Sequence, residues 1–279
     1  MREIKGSTVC NTVKRLCIEA NCILPNDVAE KIEICKDNEP WEPAKDILLN
    51  ISKNYSIAKD NMMPICQDTG MACVFLDIGR DVHFDSNIED AVNEGVRLGY
   101  KEGYLRKSVV LDPIERVNTN DNTPAMIYYN IVEGDKVKIT VAPKGFGSEN
   151  MSQIKMLKPS DGVEGFKDFV LKVVEDAGPN PCPPIVVGVG IGGTFDKAAY
   201  LAKKALLRPL DDKNTNTMYA ELEDELLCKI NELGIGPQGF GGKTTALAVK
   251  IETMPTHIAG LPVAVNINCH VSRHVSEVI

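Results

Sequence analysis

Three of the nine cysteines lie in segments rich in glycine, proline, asparagine and aspartate. Cys66 lies in Pro-Ile-Cys-Gln-Asp-Thr-Gly, Cys182 in Gly-Pro-Asn-Pro-Cys-Pro-Pro, and Cys269 in Asn-Ile-Asn-Cys-His. The other six lie in segments whose patterns predict helix or strand: Cys10, Cys17, Cys22, Cys35, Cys73 and Cys228. A loop cysteine without an apolar pattern around it has no packing role, so the three loop thiols are candidates for chemistry.

Three thiolates that come together can hold a metal centre. An iron–sulfur cluster held by only three cysteines keeps one iron open for a substrate. The three are spread over most of the chain without a C-x-x-C pair, so their spacing alone is a weak signal for such a centre.

Composition narrows the class of protein. The chain has 279 residues, 43% hydrophobic and 25% charged, with a net charge of −8. These values are typical of a globular protein and argue against a nucleic-acid surface, which would carry a basic stripe. No signal peptide and no continuous apolar stretch of ~20 residues is evident, so we expect no membrane partner. An odd number of scattered cysteines indicates reduced thiols, and we therefore expect a cytoplasmic protein.

The pattern of elements predicts an α+β fold. Apolar residues recur at helical spacing in the N-terminal third, and short apolar runs bounded by glycine, beginning with 71–78, predict buried strands farther on. Segments 125–132 and 136–142 flank Glu133-Gly134-Asp135, which predicts a β-hairpin. We predict a single domain over residues 1–279, with a mixed β-sheet flanked by helices and a helical N-terminal third.

Two glycine-rich segments resemble nucleotide-binding motifs. Gly188, Gly190 and Gly193 form a G-x-G-x-x-G before a helical segment, but no second strand with an acidic end follows at the required distance. The glycines could instead serve a carboxylate or permit close packing. Gly-Gly-Lys243-Thr imitates a phosphate-binding loop, yet Pro237 occupies the position of the first glycine. A nicotinamide-binding oxidoreductase remains the distant alternative.

Longer motifs carry a resemblance to a known family. These are the Cys66 and Cys182 segments with Asn-Thr-Asn-Asp-Asn-Thr-Pro-Ala (118–125), Lys-Gly-Phe-Gly-Ser-Glu-Asn (144–150), Gly-Val-Gly-Ile-Gly-Gly-Thr (188–194), Gly-Gly-Lys-Thr-Thr-Ala-Leu (241–247) and Thr-His-Ile-Ala-Gly-Leu-Pro-Val-Ala (256–264). In order and spacing they resemble class I fumarate hydratases, and the alpha subunit of L(+)-tartrate dehydratase is a close relative. Single-chain members carry a second, smaller domain, whereas this chain stops at Ile279. We therefore expect the alpha subunit of a two-subunit enzyme.

The resemblance implies a cofactor and a set of site residues. It implies a [4Fe–4S] cluster held by Cys66, Cys182 and Cys269. It places Gln67, Asp68, Arg106, Gly147 and His257 in the substrate pocket, with Asp68 and His257 as the groups that transfer protons. The family usually has glycine where Phe146 stands. If the backbone at this position requires a positive φ, phenylalanine would not fit it well, and the assignment of Gly147 to the pocket would be weakened. On sequence alone, a lone histidine such as His257 is more often structural, and Asp68 could simply form an Asx-turn.

The resulting prediction is an iron–sulfur hydro-lyase alpha subunit that interconverts fumarate and (S)-malate, with L(+)-tartrate dehydratase as the alternative. The substrate would be a small dicarboxylate. A separate beta subunit would complete the site, in an assembly of two alpha and two beta chains.

Overall fold

The computed structural model describes residues 2–279 and has an α+β fold, as the sequence predicts. Its helices are α1 (Gly6–Cys22), α2 (Asn26–Asp37), α3 (Glu42–Asn61), α4 (Ile88–Glu102), α5 (Phe146–Glu149), α6 (Gly162–Ala177), α7 (Phe195–Ala205) and α8 (Thr217–Glu232). Its strands are β1 (Arg2–Ile4), β2 (Met71–Gly79), β3 (Val82–Phe84), β4 (Met126–Val132), β5 (Val137–Lys144), β6 (Gln153–Leu157), β7 (Ile185–Gly193), β8 (Ala246–Thr256), β9 (Leu261–Asn268) and β10 (Val275–Val278).

The chain forms two compact units, and each has its own four-stranded mixed sheet. Unit 1 comprises the residues up to Pro25, Tyr55–Phe146 and Arg273–Ile279. Unit 2 comprises Asn26–Asn54 and Gly147–Ser272. The predicted mixed sheet flanked by helices is confirmed as a class, with its strands distributed over both units.

Unit 1 is built on the strand order β10-β5-β2-β4. Strand β2 is buried along most of its length and runs parallel to β4 and antiparallel to β5. Helices α1 and α4 supply the apolar layer above it, where α1 residues such as Leu16 and α4 residues such as Val96 are fully buried. Gly95 lets the two helices approach closely, because a Cβ atom there would lie 2.6 Å from the Cys10 carbonyl oxygen.

The predicted hairpin between β4 and β5 is wrong. Both strands exist near the expected bounds, but β2 lies between them and pairs with each. The connecting turn crosses the end of β2, where a Cβ atom on Gly79 would lie 2.4 Å from the Gly134 carbonyl oxygen. Turn residues such as Glu133-Gly134-Asp135 indicate that the chain reverses direction. They do not indicate whether the two strands they join pair with each other or with a third strand between them.

Unit 2 is built on the strand order β6-β9-β7-β8, with β7 parallel to β8 and antiparallel to β9. Helices α6 and α8 bury apolar side chains against one face of this sheet. Helix α7 packs on the other face through Ala198 and Ala202. A Cβ atom on Gly188 or Gly190 would lie 2.2 or 2.1 Å from a carbonyl oxygen of α7. The G-x-G-x-x-G therefore lies within a strand and permits close helix packing, which removes the structural basis of the nicotinamide interpretation.

Candidate functional site

The Cys66 loop, Pro64–Gly70, is exposed at Cys66 and Gln67 and buried at its C-terminal end. The buried Tyr100 hydroxyl lies 2.9 Å from the Thr69 carbonyl oxygen and 3.0 Å from that of Gly70, and it can donate to either. Burial raises the pKa of this hydroxyl, so it stays protonated as a donor. The fully buried Asn122 adds a bond from its side-chain amide to the Gly70 carbonyl oxygen at 3.2 Å. The loop thus presents a thiol to solvent from a backbone that the core holds in place.

The Asp68 carboxylate is held by two backbone amides of unit 1. Its Oδ1 accepts a bond from Gly70 N at 3.0 Å, which is the predicted Asx-turn, and its Oδ2 accepts one from Phe146 N at 2.9 Å. A Cβ atom on Gly145 would lie 3.1 Å from the same Oδ2. Phe146 is not among the residues with positive φ, so its replacement of glycine causes no backbone strain. Each carboxylate oxygen retains a second acceptor direction, so Asp68 is oriented but still able to take a proton.

Arg106 is tied to the Cys66 loop through its backbone. The Thr69 hydroxyl donates to the Arg106 carbonyl oxygen at 3.1 Å, and the Arg106 side chain is exposed. The following residues are fixed by the asparagine-rich segment: Ser108 N donates to Asn122 Oδ1 at 2.7 Å, and Asn118 Nδ2 donates to the Lys107 carbonyl oxygen at 3.0 Å. This explains the asparagine-rich motif as a scaffold that fixes the segment after Arg106, whose backbone is bonded to the Cys66 loop within unit 1.

Sequence reasoning missed Arg273, which lies beneath the same loop. Its side chain is 4% exposed, and Nη2 donates to the Asp68 carbonyl oxygen at 2.5 Å. Its Nε and Nη1 atoms are buried without a partner among the described residues. A buried guanidinium is rare and costly to desolvate, so its place under Asp68 marks it as a positioning residue. The only sequence signal was a charged residue in a segment close to Cys269.

In unit 2 the segments of Cys182 and Cys269 meet. The Cys182 carbonyl oxygen accepts a bond from His270 N at 3.3 Å and lies 3.0 Å from His270 Nδ1. The same Nδ1 lies 3.2 Å from Gln238 Nε2, so the imidazole ring is held between the Cys182 carbonyl and the Gln238 side-chain amide. Pro183, the residue after Cys182, is fixed by Gln238, whose amide Nε2 donates to the Pro183 carbonyl oxygen at 2.8 Å. Cys182 itself has φ +55° and is exposed.

A polar network holds the end of β9 that leads into Cys269. Asn266 Nδ2 donates to Glu149 Oε2 at 2.6 Å and to Ser152 Oγ at 2.8 Å, and Glu149 Oε1 lies 2.5 Å from Lys203 Nζ. Lys203 and Glu149 are 16% and 25% exposed. The network also explains why Glu149 and Asn266 belong to the motif segments: they position the Cys269 backbone.

The other cysteines lie where the sequence places them, on helices or strands. Burial raises the pKa of the Cys10, Cys22 and Cys35 thiols, and it raises that of Cys17 to about 12. A raised pKa disfavours the thiolate that metals bind. Cys66 and Cys182 are exposed, and Cys269 is partly exposed. Within neither unit do three or more histidine, cysteine, aspartate or glutamate side chains of residues 2–279 come together as a metal site.

His257 lies at the other end of the unit 2 sheet. It is exposed in the turn between β8 and β9, where its Nδ1 accepts a bond from Ala259 N at 3.2 Å. Cys269 follows the opposite end of β9, and the eight residues of that strand span about 25 Å at ~3.3 Å per residue. Cys182 precedes β7, which is antiparallel to β9, so it shares the Cys269 end. The fold of one chain therefore separates His257 from both cysteines.

The Gly241-Gly242 turn holds an internal carboxylate. Glu39 is 3% exposed, and its Oε2 accepts a bond from Lys243 N at 2.9 Å. Both glycines have positive φ, +95° and +111°. Because the chain's own glutamate fills this turn, a phosphate-binding loop is excluded here.

Comparison with known proteins gives a family match over most of the chain. The family model described as fumarate hydratase (fumerase) matches residues 10–278. The chain belongs to the fumarate hydratase family. It is 45% identical over 272 residues to a protein of Methanocaldococcus jannaschii named "Putative L(+)-tartrate dehydratase subunit alpha", and the match covers 95% of each chain. It is 34% identical over 254 residues to L(+)-tartrate dehydratase subunit alpha of Escherichia coli strains UTI89 and K12, covering 90% of this chain and 84% of each relative.

Family membership confirms the resemblance that the motifs carried and identifies a hydro-lyase enzyme. Among residues 2–279 no helix is both long and apolar enough to cross a membrane. The residues that the sequence prediction missed, Arg273, Glu149 and Asn266, are those that hold the motif backbones.

Proposed function

We propose that this chain is the alpha subunit of an iron–sulfur hydro-lyase that reversibly hydrates fumarate to (S)-malate. The observation that carries the proposal is the contrast among the thiols. Three are accessible on loops fixed by buried polar side chains, while four others have a pKa raised by burial. Membership of the fumarate hydratase family supplies the reaction class.

Cys66, Cys182 and Cys269 would hold a [4Fe–4S] cluster. Thiolates are the ligands such a cluster requires, and two of the three donors lie on segments that are hydrogen-bonded to each other within unit 2. When bound, a cluster with three protein ligands supplies an open iron that acts as a Lewis acid toward a substrate carboxylate and hydroxyl.

The residues of the Cys66 loop would bind and orient the dicarboxylate. The exposed Arg106 guanidinium suits two-pronged pairing with a substrate carboxylate. Gln67, exposed beside Cys66, would donate an amide hydrogen bond, and Gly147 would bring backbone close to the substrate. Hydration adds the water oxygen to one alkene carbon and a proton to the other. Asp68, held by Gly70 N and Phe146 N, would exchange that proton at the carboxylate.

His257 is the second proton-transfer candidate, and the fold sets a condition on it. Within one chain it lies about 25 Å from the Cys269 end of β9. His257 can therefore serve the proposed site only if a second copy of the chain brings it there.

Dehydration of L(+)-tartrate is the second candidate function. The names of the curated relatives favour it, at 45% and 34% identity. Tartrate and malate are four-carbon dicarboxylates that differ by one hydroxyl, so the same cluster and arginine would serve either. The alpha-subunit names also support a separate beta subunit, and we propose an assembly of two alpha and two beta chains in the cytoplasm.

The deciding experiment is anaerobic reconstitution of this chain with its beta subunit, followed by assays on (S)-malate, fumarate and L(+)-tartrate. Broad brown absorbance and turnover of malate and fumarate support the first candidate, while turnover of tartrate alone supports the second. A colourless protein that dehydrates neither substrate and is stabilised by NAD would overturn the proposal. The alpha chain alone, loaded with iron, should show no meaningful turnover.

A further inference from the structure

Arg273 is a buried cation without an ion-pair partner. The residue is 4% exposed, and it forms no ion pair with any carboxylate of residues 2–279. Its Nη2 donates to the Asp68 carbonyl oxygen at 2.5 Å, while Nε and Nη1 are buried without a hydrogen-bond partner. A guanidinium keeps its charge at every ordinary pH, and an uncompensated buried charge is costly. The buried positive charge therefore calls for a negative one that these residues do not supply.

Three polar groups near Arg273 leave its charge unbalanced. The Cys22 thiol and the Tyr100 hydroxyl lie within reach of the charge, but burial raises the pKa of both, so they stay protonated at neutral pH. The Asp68 carboxylate is bonded to two backbone amides, and Arg273 contacts Asp68 through the carbonyl oxygen alone. A negatively charged group bound at the Cys66 loop would supply the missing charge.

The charge of Arg273 is held close to Cys66. Asp68 follows Cys66 by two residues, and two residues of extended chain span at most about 7 Å. The guanidinium nitrogen at the Asp68 carbonyl oxygen therefore lies within roughly 12 Å of the Cys66 Cα atom. At that distance and an effective dielectric constant of about 20, one opposite unit charge changes a binding constant about tenfold.

We propose that Arg273 is the buried counter-charge of the iron–sulfur cluster. This role rests on the proposed function, in which Cys66 is one of three thiolate ligands that give the centre a net negative charge. A nearby positive charge stabilises such a centre, and it stabilises the reduced form most, because reduction adds a further negative charge. Arg273 acts through its charge and through the Asp68 backbone, so it is a positioning residue.

Removing the charge tests this role. Arg273→Gln keeps an amide that can donate to the Asp68 carbonyl oxygen but carries no charge. In the anaerobically reconstituted enzyme with its beta subunit, a chelator should remove iron from this variant about tenfold faster than from the parent. The midpoint potential of the cluster, followed by electron paramagnetic resonance, should fall. Arg273→Lys keeps the charge and should return both quantities close to those of the parent.

Arg80→Gln is the matched control. It also removes one positive charge from unit 1, but the Arg80 side chain is 63% exposed and follows the end of β2 that lies away from the Cys66 loop. It should change neither the rate of iron loss nor the midpoint potential.

The cluster-free full chain separates a counter-charge from a purely structural role. Without the cluster the charge of Arg273 has nothing to balance, so Arg273→Gln should resist urea at least as well as the parent. A residue that served only to hold the loop would make the variant less stable with and without the cluster. Lower stability of the cluster-free Arg273→Gln chain would therefore overturn the counter-charge role.

Two further outcomes would also overturn it: equal iron loss and equal midpoint potential in Arg273→Gln and the parent, or an Arg273→Lys variant that behaves like Arg273→Gln. In both cases the parent still holds its cluster, so the proposed function stands. A parent chain that takes up no cluster would overturn the proposed function, and the role of Arg273 with it.

Discussion

The two ends of the unit 2 sheet differ in how their side chains are held. At the end with Cys182 and Cys269, buried or half-buried groups fix the backbone, through His270 and Gln238 on one side and Glu149 and Asn266 on the other. At the other end, His257 lies in an exposed turn, and the neighbouring Ile258 is 91% exposed.

This difference suggests that the two ends have different tasks. A ligand site must be preorganised, and the cysteine end is built that way. An exposed turn with apolar neighbours is better suited to meeting another surface. Near His257 a hollow of about 370 Å³ is lined largely by apolar side chains, including Phe166 and Met218. Substitutions at each end of the sheet test whether the two ends have these different tasks.

The largest effect should come from the cysteine end. Replacing Cys182 or Cys269 by serine should reduce the iron bound after anaerobic reconstitution from about four atoms per chain to nearly none, because two thiolates cannot retain the cluster. Iron analysis and the absorbance spectrum measure this. Cys228→Ser is the matched control, since Cys228 is also exposed but lies on α8. Equal iron loss in the control would show that the ligand assignment is wrong.

The His257 end should affect turnover and leave the cluster intact. His257→Asn should bind iron normally, while kcat of the reconstituted enzyme should fall by about 10²–10⁴, the range for a lost proton-transfer group. His83→Asn, on β3, should change neither quantity.

Mixing subunits sharpens this prediction. If a second copy supplies His257, then a mixture of His257→Asn and Cys182→Ser chains should regain about a quarter of the parent activity through hybrid two-fold assemblies. A mixture that remains inactive, although hybrids form, would show that His257 and the cysteines do not meet across chains.

A smaller effect should come from the network behind Cys269. Glu149→Gln removes the charge that pairs with the half-buried Lys203 and weakens the acceptor for Asn266. We expect the free energy of unfolding to fall by about 1–3 kcal/mol, with reduced iron retention. Glu175→Gln should change it by less than about 0.5 kcal/mol, because Glu175 and its partner Lys172 are both more than 60% exposed. Urea unfolding of both variants measures the difference.

The smallest effect concerns a thiol outside the site. Burial raises the pKa of Cys17 to about 12 from an ordinary value of 9.0. The folded state therefore favours the neutral thiol, and this contribution is fully present below pH 9 and is lost as the pH rises from 9 toward 12. Between pH 8 and pH 10 the parent should lose about 1 kcal/mol more unfolding free energy than Cys17→Ala. Parallel curves for the parent and Cys17→Ala would contradict the prediction.

The sequence by itself determined the family, the α+β class and the bounds of several strands. Apolar periodicity and glycine boundaries are local signals, so the N-terminal third is helical as predicted, and β2, β4 and β5 lie close to the predicted segments 71–78, 125–132 and 136–142. The separation of the loop cysteines from those on helices and strands also followed from local pattern, because a thiol without apolar neighbours is seldom part of a regular core element.

Only the tertiary structure decided which elements are neighbours. The insertion of β2 between β4 and β5 depends on long-range pairing that a turn signal does not encode. Gly188 and Gly190 resembled a nucleotide motif until the structure showed α7 against them. Arg273 beneath Asp68, and His257 at the opposite end of the sheet from Cys269, follow from strand direction and burial. These are properties of the packed chain, because a residue's distance along the sequence does not fix its distance in space.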